Sequence, residues 1–190
     1  VPDHTHLGHG GAYVDDSAQV IGDVEIGEES SVWMTVVIRG DVHSIRIGRR
    51  SNVQDGTIVH VMKDTHPTTI GDDVTVGHAA MIHGCAIEDR CLIGMRATLL
   101  NGCRIGSGSI VAAGTLVVEG MDVPPRSLVM GSPGKVKRSL TDAEVGEIQM
   151  YADRYVAEGI KTEFDRIRHL LIKPRRTRSL SHKGHKDHKQ

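Results

Sequence analysis

Aromatic side chains are almost missing: one Trp, three Tyr and one Phe make up 3% of the 190 residues. That excludes a conventional core of interlocked rings. An excess of one charge is missing too. The 23 Lys and Arg nearly cancel the 24 Asp and Glu, for a formal net charge of −1, so no overall field draws the chain to nucleic acid. No apolar run approaches the roughly 18 residues that would span a membrane. The N-terminal VPDHTHLGHGG lacks the apolar centre of a signal peptide and starts without Met, as expected of a processed or shortened chain. Three cysteines, an odd number, give no disulfide framework, and a reducing, cytoplasmic setting is expected.

Glycine, by contrast, is plentiful at 22 residues, which points to a regular stack of small side chains. A period of six runs through the sequence. Aliphatics stand at Val20, Ile26, Val32 and Ile38, resume at Ile47, Val53 and Val59, then at Ile70, Val76 and Ile82, and continue through Ile87, Ile93, Leu99, Ile105, Val111 and Val117. Four residues after each comes a smaller one, among them Ser30, Ser51, Thr57, Ala80, Ala86, Cys91, Ala97, Cys103, Ser109 and Thr115. Helices need apolar residues every three to four positions and exposed strands alternate; neither fits. A six-residue period with Ile-Gly steps specifies an all-β parallel β-helix, in which each hexad is a short strand and a turn, and three hexads close one coil. The aliphatic and the small residue point inward. Cys91 and Cys103 occupy the small slot as packing residues, on different faces, which excludes a disulfide between them.

The expected organisation is a β-helix domain over residues 1–139, a helix over 140–172 packed on it, and a basic disordered tail over 173–190. After Val117 the pattern dissolves into the Pro/Gly-rich EGMDVPPRSLVMGSPGKVKR. Thr141 and Glu144 form a capping box, with Leu140 and Val145 placed to staple it. Val145, Ile148, Ala152, Tyr155, Val156, Ile160, Phe164, Ile167 and Leu171 make the helix's apolar stripe, with Gly159 as a soft point. His182, His185 and His188 are solvated tail residues.

Column arithmetic places the remaining histidines. Val59 to Ile82 is 23 residues; subtracting a five-residue loop in VMKDTHPTT leaves one 18-residue coil. His60 and His83, each one residue past its aliphatic, then sit on adjacent rungs, about 4.8 Å apart at the backbone. Two imidazoles so placed can hold one metal at about 2.0–2.1 Å per bond. His78 follows Val76 and falls on another face, so it joins the pair only across a subunit boundary, as in a cyclic trimer. After a three-residue insertion near DVHSI, Arg39 lies one rung from His60; Asp55, beside Gln54, lies one rung from His78. All-nitrogen ligation suits Zn²⁺, with Fe²⁺ and Co²⁺ chemically reasonable.

VIRGDVHSIRIGRRSNVQDGTIVHV, VTVGHAAMIHGCAIEDRCLIGMRATLLNG and PPRSLVMGSPGKVKR resemble the short branch of the γ-class carbonic anhydrase family, over about Ala12 to Tyr155. The resemblance implies a left-handed β-helix, a homotrimer with metal sites between subunits, and reversible hydration of carbon dioxide to bicarbonate. It implies His60, His78 and His83 as metal ligands, and Arg39 and Asp55 as an ion pair between subunits. Asp41 and Gln54 match residues that orient the reacting water or bicarbonate, and Tyr155 falls near the family's C-terminal tyrosine. Val42 stands where the prototype carries a proton-transferring glutamate, and the prototype's acidic loop is missing, leaving Asp64 and His66. Arg96 replaces a customary glycine and Arg154 a usual asparagine. Three neutral imidazoles leave a dication with an open position, where water's pKa falls to about 7 and hydroxide attacks carbon dioxide. The rival readings are a hexapeptide acyltransferase, a thioester hydrolase, and a metal-binding or assembly protein without turnover.

Overall fold

The computed structural model describes residues 5–7 and 11–172. Short parallel strands wind into a three-sided β-helix, and each side is built around one column of buried aliphatics. Ile38, Val59, Ile82, Leu99 and Val117 stack on the first face. Ile47, Ile70, Ile87, Ile105 and Val123 stack on the second. Val32, Val53, Val76, Ile93, Val111 and Val129 stack on the third. The long strand Val37–Ile47 turns a corner and joins the first two faces into one hydrogen-bonded sheet. Most of these aliphatics are fully buried, and removing that area from water is the main stabilising term of the fold.

The second inward position is small because it lies at a corner, and the corner supplies acceptors for several of the polar side chains there. Ser30 Oγ donates to Gly48 O at 2.8 Å, Ser51 Oγ to Gly71 O at 2.7 Å and Thr57 Oγ1 to Gly77 O at 3.1 Å, so these buried hydroxyls cost little. The corner leaves no room elsewhere: a Cβ on Gly94 would lie 2.5 Å from Ala113 N on the next coil. Arg96, at φ 58°, occupies a left-handed turn position, which accounts for the glycine expected there.

Both inserted segments fall where the counting puts them. Gly22 pairs with Gly40 but Val24 with Ile45, so three extra residues bulge from DVHSI. The longer insertion folds back on itself through an antiparallel bridge from Met62 to His66. Two inward assignments shift. Ile82 and Ile87 are only five apart, so Cys85, not Ala86, takes the inward slot and is 3% exposed. The coils also continue past Val117, with Val123 and Val129 both fully buried. The strand Ser127–Met130, which carries Val129, then pairs antiparallel with Lys135–Ser139.

The helix α1 spans Asp142–Ile172 and packs along the third face, running from its last coils back toward its first. Ile148 and Ala152 are fully buried against it. Gly159 is buried rather than soft: a Cβ there would meet Ser31 Cβ at 3.4 Å and Tyr13 Cβ at 3.7 Å. Ile160, expected on the packed stripe, is 55% exposed, because the close approach at Gly159 turns it toward solvent. The side chains of Phe164, Ile167 and Leu171, and the tail with His182, His185 and His188, lie outside the described residues.

The capping box forms as expected. Glu144 N donates to Thr141 Oγ1 at 3.3 Å and Thr141 N donates to Glu144 Oε2 at 2.9 Å, while Arg138 makes a two-pronged bond to the same carboxylate at 2.8 and 2.7 Å. The Arg138 guanidinium, with the Thr141 backbone and hydroxyl, holds the Glu144 carboxyl down from 4.5 to about 2. Because the folded pKa is depressed, this contribution is fully present above pH 4.5 and is lost as pH falls toward 2. Thr141→Ala should cost about 1 kcal/mol, and Glu144→Gln should flatten the acid dependence of α1 across that window. Ellipticity at 222 nm against pH, for the three proteins, measures both.

Candidate metal centre

His60 closes the strand Ile58–His60 and His83 closes Met81–His83, and parallel pairing sets His60 opposite His83. Each follows a fully buried aliphatic, Val59 or Ile82, so alternation turns both imidazoles outward on the first face. Their ring centroids are 5.0 Å apart, with His60 Nδ1 and His83 Nε2 separated by 3.1 Å.

The outer nitrogen of each ring is committed. His60 Nε2 donates to Asp41 Oδ1 at 3.0 Å, since a carboxylate only accepts. His83 Nδ1 lies 2.7 Å from Asn101 Oδ1. That oxygen is fixed because Asn101 Nδ2 donates to Glu119 Oε1 at 3.0 Å. With a hydrogen on each outer nitrogen, the inner nitrogens of two neutral rings are both bare and face one another. A shared cation, proton or metal, is what reconciles two lone pairs at that distance. A tetrahedral metal with bonds of about 2.0–2.1 Å spans a similar gap, roughly 3.3 Å, between ligand nitrogens.

Asp41 binds on its other side to Arg39. The His60 N–H and the Arg39 guanidinium hold its carboxyl below the usual range. Arg39 therefore meets Asp41 within the chain, and Asp55 is engaged by His78, whose Nδ1 lies 3.0 Å from Asp55 Oδ2. His78 follows Val76 on the third face, and its side chain is 46% exposed. Among the described residues of one chain, no three His, Cys, Asp or Glu side chains gather to hold a metal. Gln54 is buried, with Nε2 donating to Asn52 Oδ1 at 3.0 Å, and Asn52 donating in turn to Thr75 Oγ1 at 2.9 Å.

Tyr155 comes from α1 and packs edge-on against Trp33, ring centroids 5.6 Å apart. Burial raises its hydroxyl's pKa, helped by the Glu158 and Asp55 charges. Gln54, His78, Met95, Arg154 and Tyr155 line a cavity of about 370 Å³ between α1 and the third face. One chain thus offers two clusters, one with His60, His83, Asp41 and Arg39, the other with His78, Asp55, Gln54 and Tyr155. The loop residue His66 sits over the glycines that follow His83 and Asn101, its Cβ 3.0 Å from where a Cβ on Gly84 would stand and its ring 3.1 Å from one on Gly102. The three cysteines are free and buried; burial pushes the Cys91 thiol up to about 12, so it is no nucleophile. Asn101 and Glu119 were not foreseen from the sequence, although each stands 18 residues, one full coil, beyond the residue it serves.

Residues 84–118 match the family model described as bacterial transferase hexapeptide (six repeats). The chain is 53% identical over 139 residues to the "Probable carbonic anhydrase" of Methanocaldococcus jannaschii, covering 73% of this chain and 87% of that one. The chain belongs to the γ-class carbonic anhydrase family. It is also 47% identical over 149 residues to "Gamma carbonic anhydrase 2, mitochondrial" of Arabidopsis thaliana, covering 76% of this chain. It spans about half, 54%, of that relative's length. Among solved structures, a hexapeptide transferase family protein from Anaplasma phagocytophilum superposes with a TM-score of 0.78 at 34% identity, covering 83% of this chain and 92% of that one.

Proposed function

We propose that this γ-class family member is a metal-dependent carbonic anhydrase that works as a homotrimer. His60 and His83 of one copy and His78 of the next hold Zn²⁺, or Fe²⁺ or Co²⁺, between them. The observation that carries this reading is the pair of bare nitrogens, 3.1 Å apart, each forced by an acceptor behind it. Among the described residues, a single chain supplies only two such nitrogens in one place, and the third histidine looks out from a neighbouring face. Exposed Ile21 and Ile58 on the face of His60 and His83 support its burial against another copy.

When bound, the cation supplies a Lewis acid that brings water's pKa to about 7, making hydroxide available near neutral pH. The chain's own residues do the rest. Asp41 fixes the ring of His60 and keeps lone-pair capacity to accept a bond from water. Gln54, anchored by Asn52, orients water or bicarbonate. Arg39 pairs across the boundary with Asp55 of the next copy when the two faces meet, and Tyr155 closes the side of the site toward α1. The fold neighbours named as transferases make an acyl-transfer reading the alternative; it requires binding of acetyl-CoA, and no such binding is expected here.

Two outcomes test the proposal. His78→Ala chains co-expressed with His60→Ala/His83→Ala chains should recover, in mixed trimers, a fraction of the zinc sites and carbon dioxide hydration that neither homotrimer has. A monomer that binds zinc with full affinity through all three histidines would sink the arrangement. Val42 is 39% exposed and has no titratable group to relay a proton, so kcat should rise with buffer concentration while kcat/KM stays nearly constant, and Val42→Glu should raise kcat at low buffer. Stopped-flow hydration across a buffer series reads this, and buffer-independent turnover would contradict it.

A further inference from the structure

The outer side of His83 carries a device of its own. Imidazole offers either nitrogen to a metal, and the choice is set by what the other one donates to. Here His83 Nδ1 faces Asn101 Oδ1 at 2.7 Å. An asparagine amide is reversible: turned over, it would present N–H to His83 and select the opposite tautomer. Glu119 removes that freedom. Its carboxylate has no hydrogen to give, so the amide edge that meets Glu119 Oε1 at 3.0 Å must be Nδ2. The oxygen is then left pointing at His83.

These bonds differ from the aspartate ladder of the neighbouring turns. Asp72 and Asp89 accept from backbone N–H groups, at Arg49 N and Asp72 N, and so serve the turns themselves. The bonds His83–Asn101–Glu119 run from side chain to side chain and end on an imidazole.

We propose that Asn101, itself oriented by Glu119, is the positioning residue that fixes His83 as the Nδ1–H tautomer and so presents a bare Nε2 toward His60 and the metal. The consequence for metal binding rests on the function proposed above; the tautomer does not.

The test begins on metal-free protein, with long-range ¹⁵N–¹H correlation spectra of the imidazoles. His83 should be the Nδ1–H tautomer in the native chain. Asn101→Leu should leave a mixture, and Glu119→Gln should shift the ratio part of the way, since the amide then regains its freedom to turn over. The double substitution Asn101→Asp/Glu119→Gln keeps an oxygen toward His83 with a donor behind it, and should restore the native tautomer. Zn²⁺ affinity, measured by competition with a chromophoric chelator, should fall about 10–100-fold in Asn101→Leu and recover in the double variant. Glu119 is exposed, so Glu119→Gln remains informative even if Asn101→Leu does not fold. A native Nε2–H tautomer, or a tautomer ratio unmoved by Glu119→Gln, overturns the positioning role. A native chain that shows the expected tautomers yet binds no zinc upholds the positioning role and overturns the metal reading instead.

Discussion

The stacking of one aliphatic per hexad on its counterpart a coil away is the constraint from which everything else follows. Parallel backbone pairing holds successive coils at strand spacing, and the three buried columns fix their register. A slip of one residue would turn every inward aliphatic to solvent and every outward group into the core. Register is therefore expensive to change, and any side chain one residue past an aliphatic must stand over its equivalent on the next coil. Arg39, His60 and His83 are such residues, and their alignment is a by-product of the stacking of Ile38, Val59 and Ile82.

That same constraint explains why the chain's functional parts fall into two groups. A three-sided prism separates residues on different faces, however close they are in sequence. His78 and His83 are five residues apart, yet one belongs to the column of Val76 and the other to that of Ile82. In a single copy the polar groups settle locally, Arg39 on Asp41 and the His78 ring against Asp55. The proposed trimer would bring the flat faces together and exchange these local pairs for ones between copies. Truncating one member of such a pair leaves the other charge without its partner.

Much of this was legible in the sequence, because a repeat converts counting into geometry. Both insertions, the pairing of His60 with His83 and of Val53 with Val76, and the capping box at Thr141 and Glu144 could be read from spacing and residue type. What was missed has several causes. Cys85 took the inward slot because one hexad is a residue short. Val123 and Val129 remained in the columns although prolines and glycines around them signalled an exit. Gly159 is a point of helix-to-strand contact, visible only once α1 lies against Ser31 and Tyr13. Asn101 and Glu119 stand one and two coils beyond His83, in reach of the same arithmetic. Their residue types, however, suggested turn polarity rather than support for an imidazole.

The central claim is that two imidazoles from one copy and one from the next share a single metal. Extended X-ray absorption fine structure at the zinc edge of the zinc-loaded, full-length protein tests it most directly. The account predicts three imidazole nitrogens at about 2.0–2.1 Å with an oxygen donor completing the shell, and two imidazoles after His78→Ala. A shell of fewer than three imidazoles in the native protein, or one that His78→Ala leaves unchanged, would contradict it.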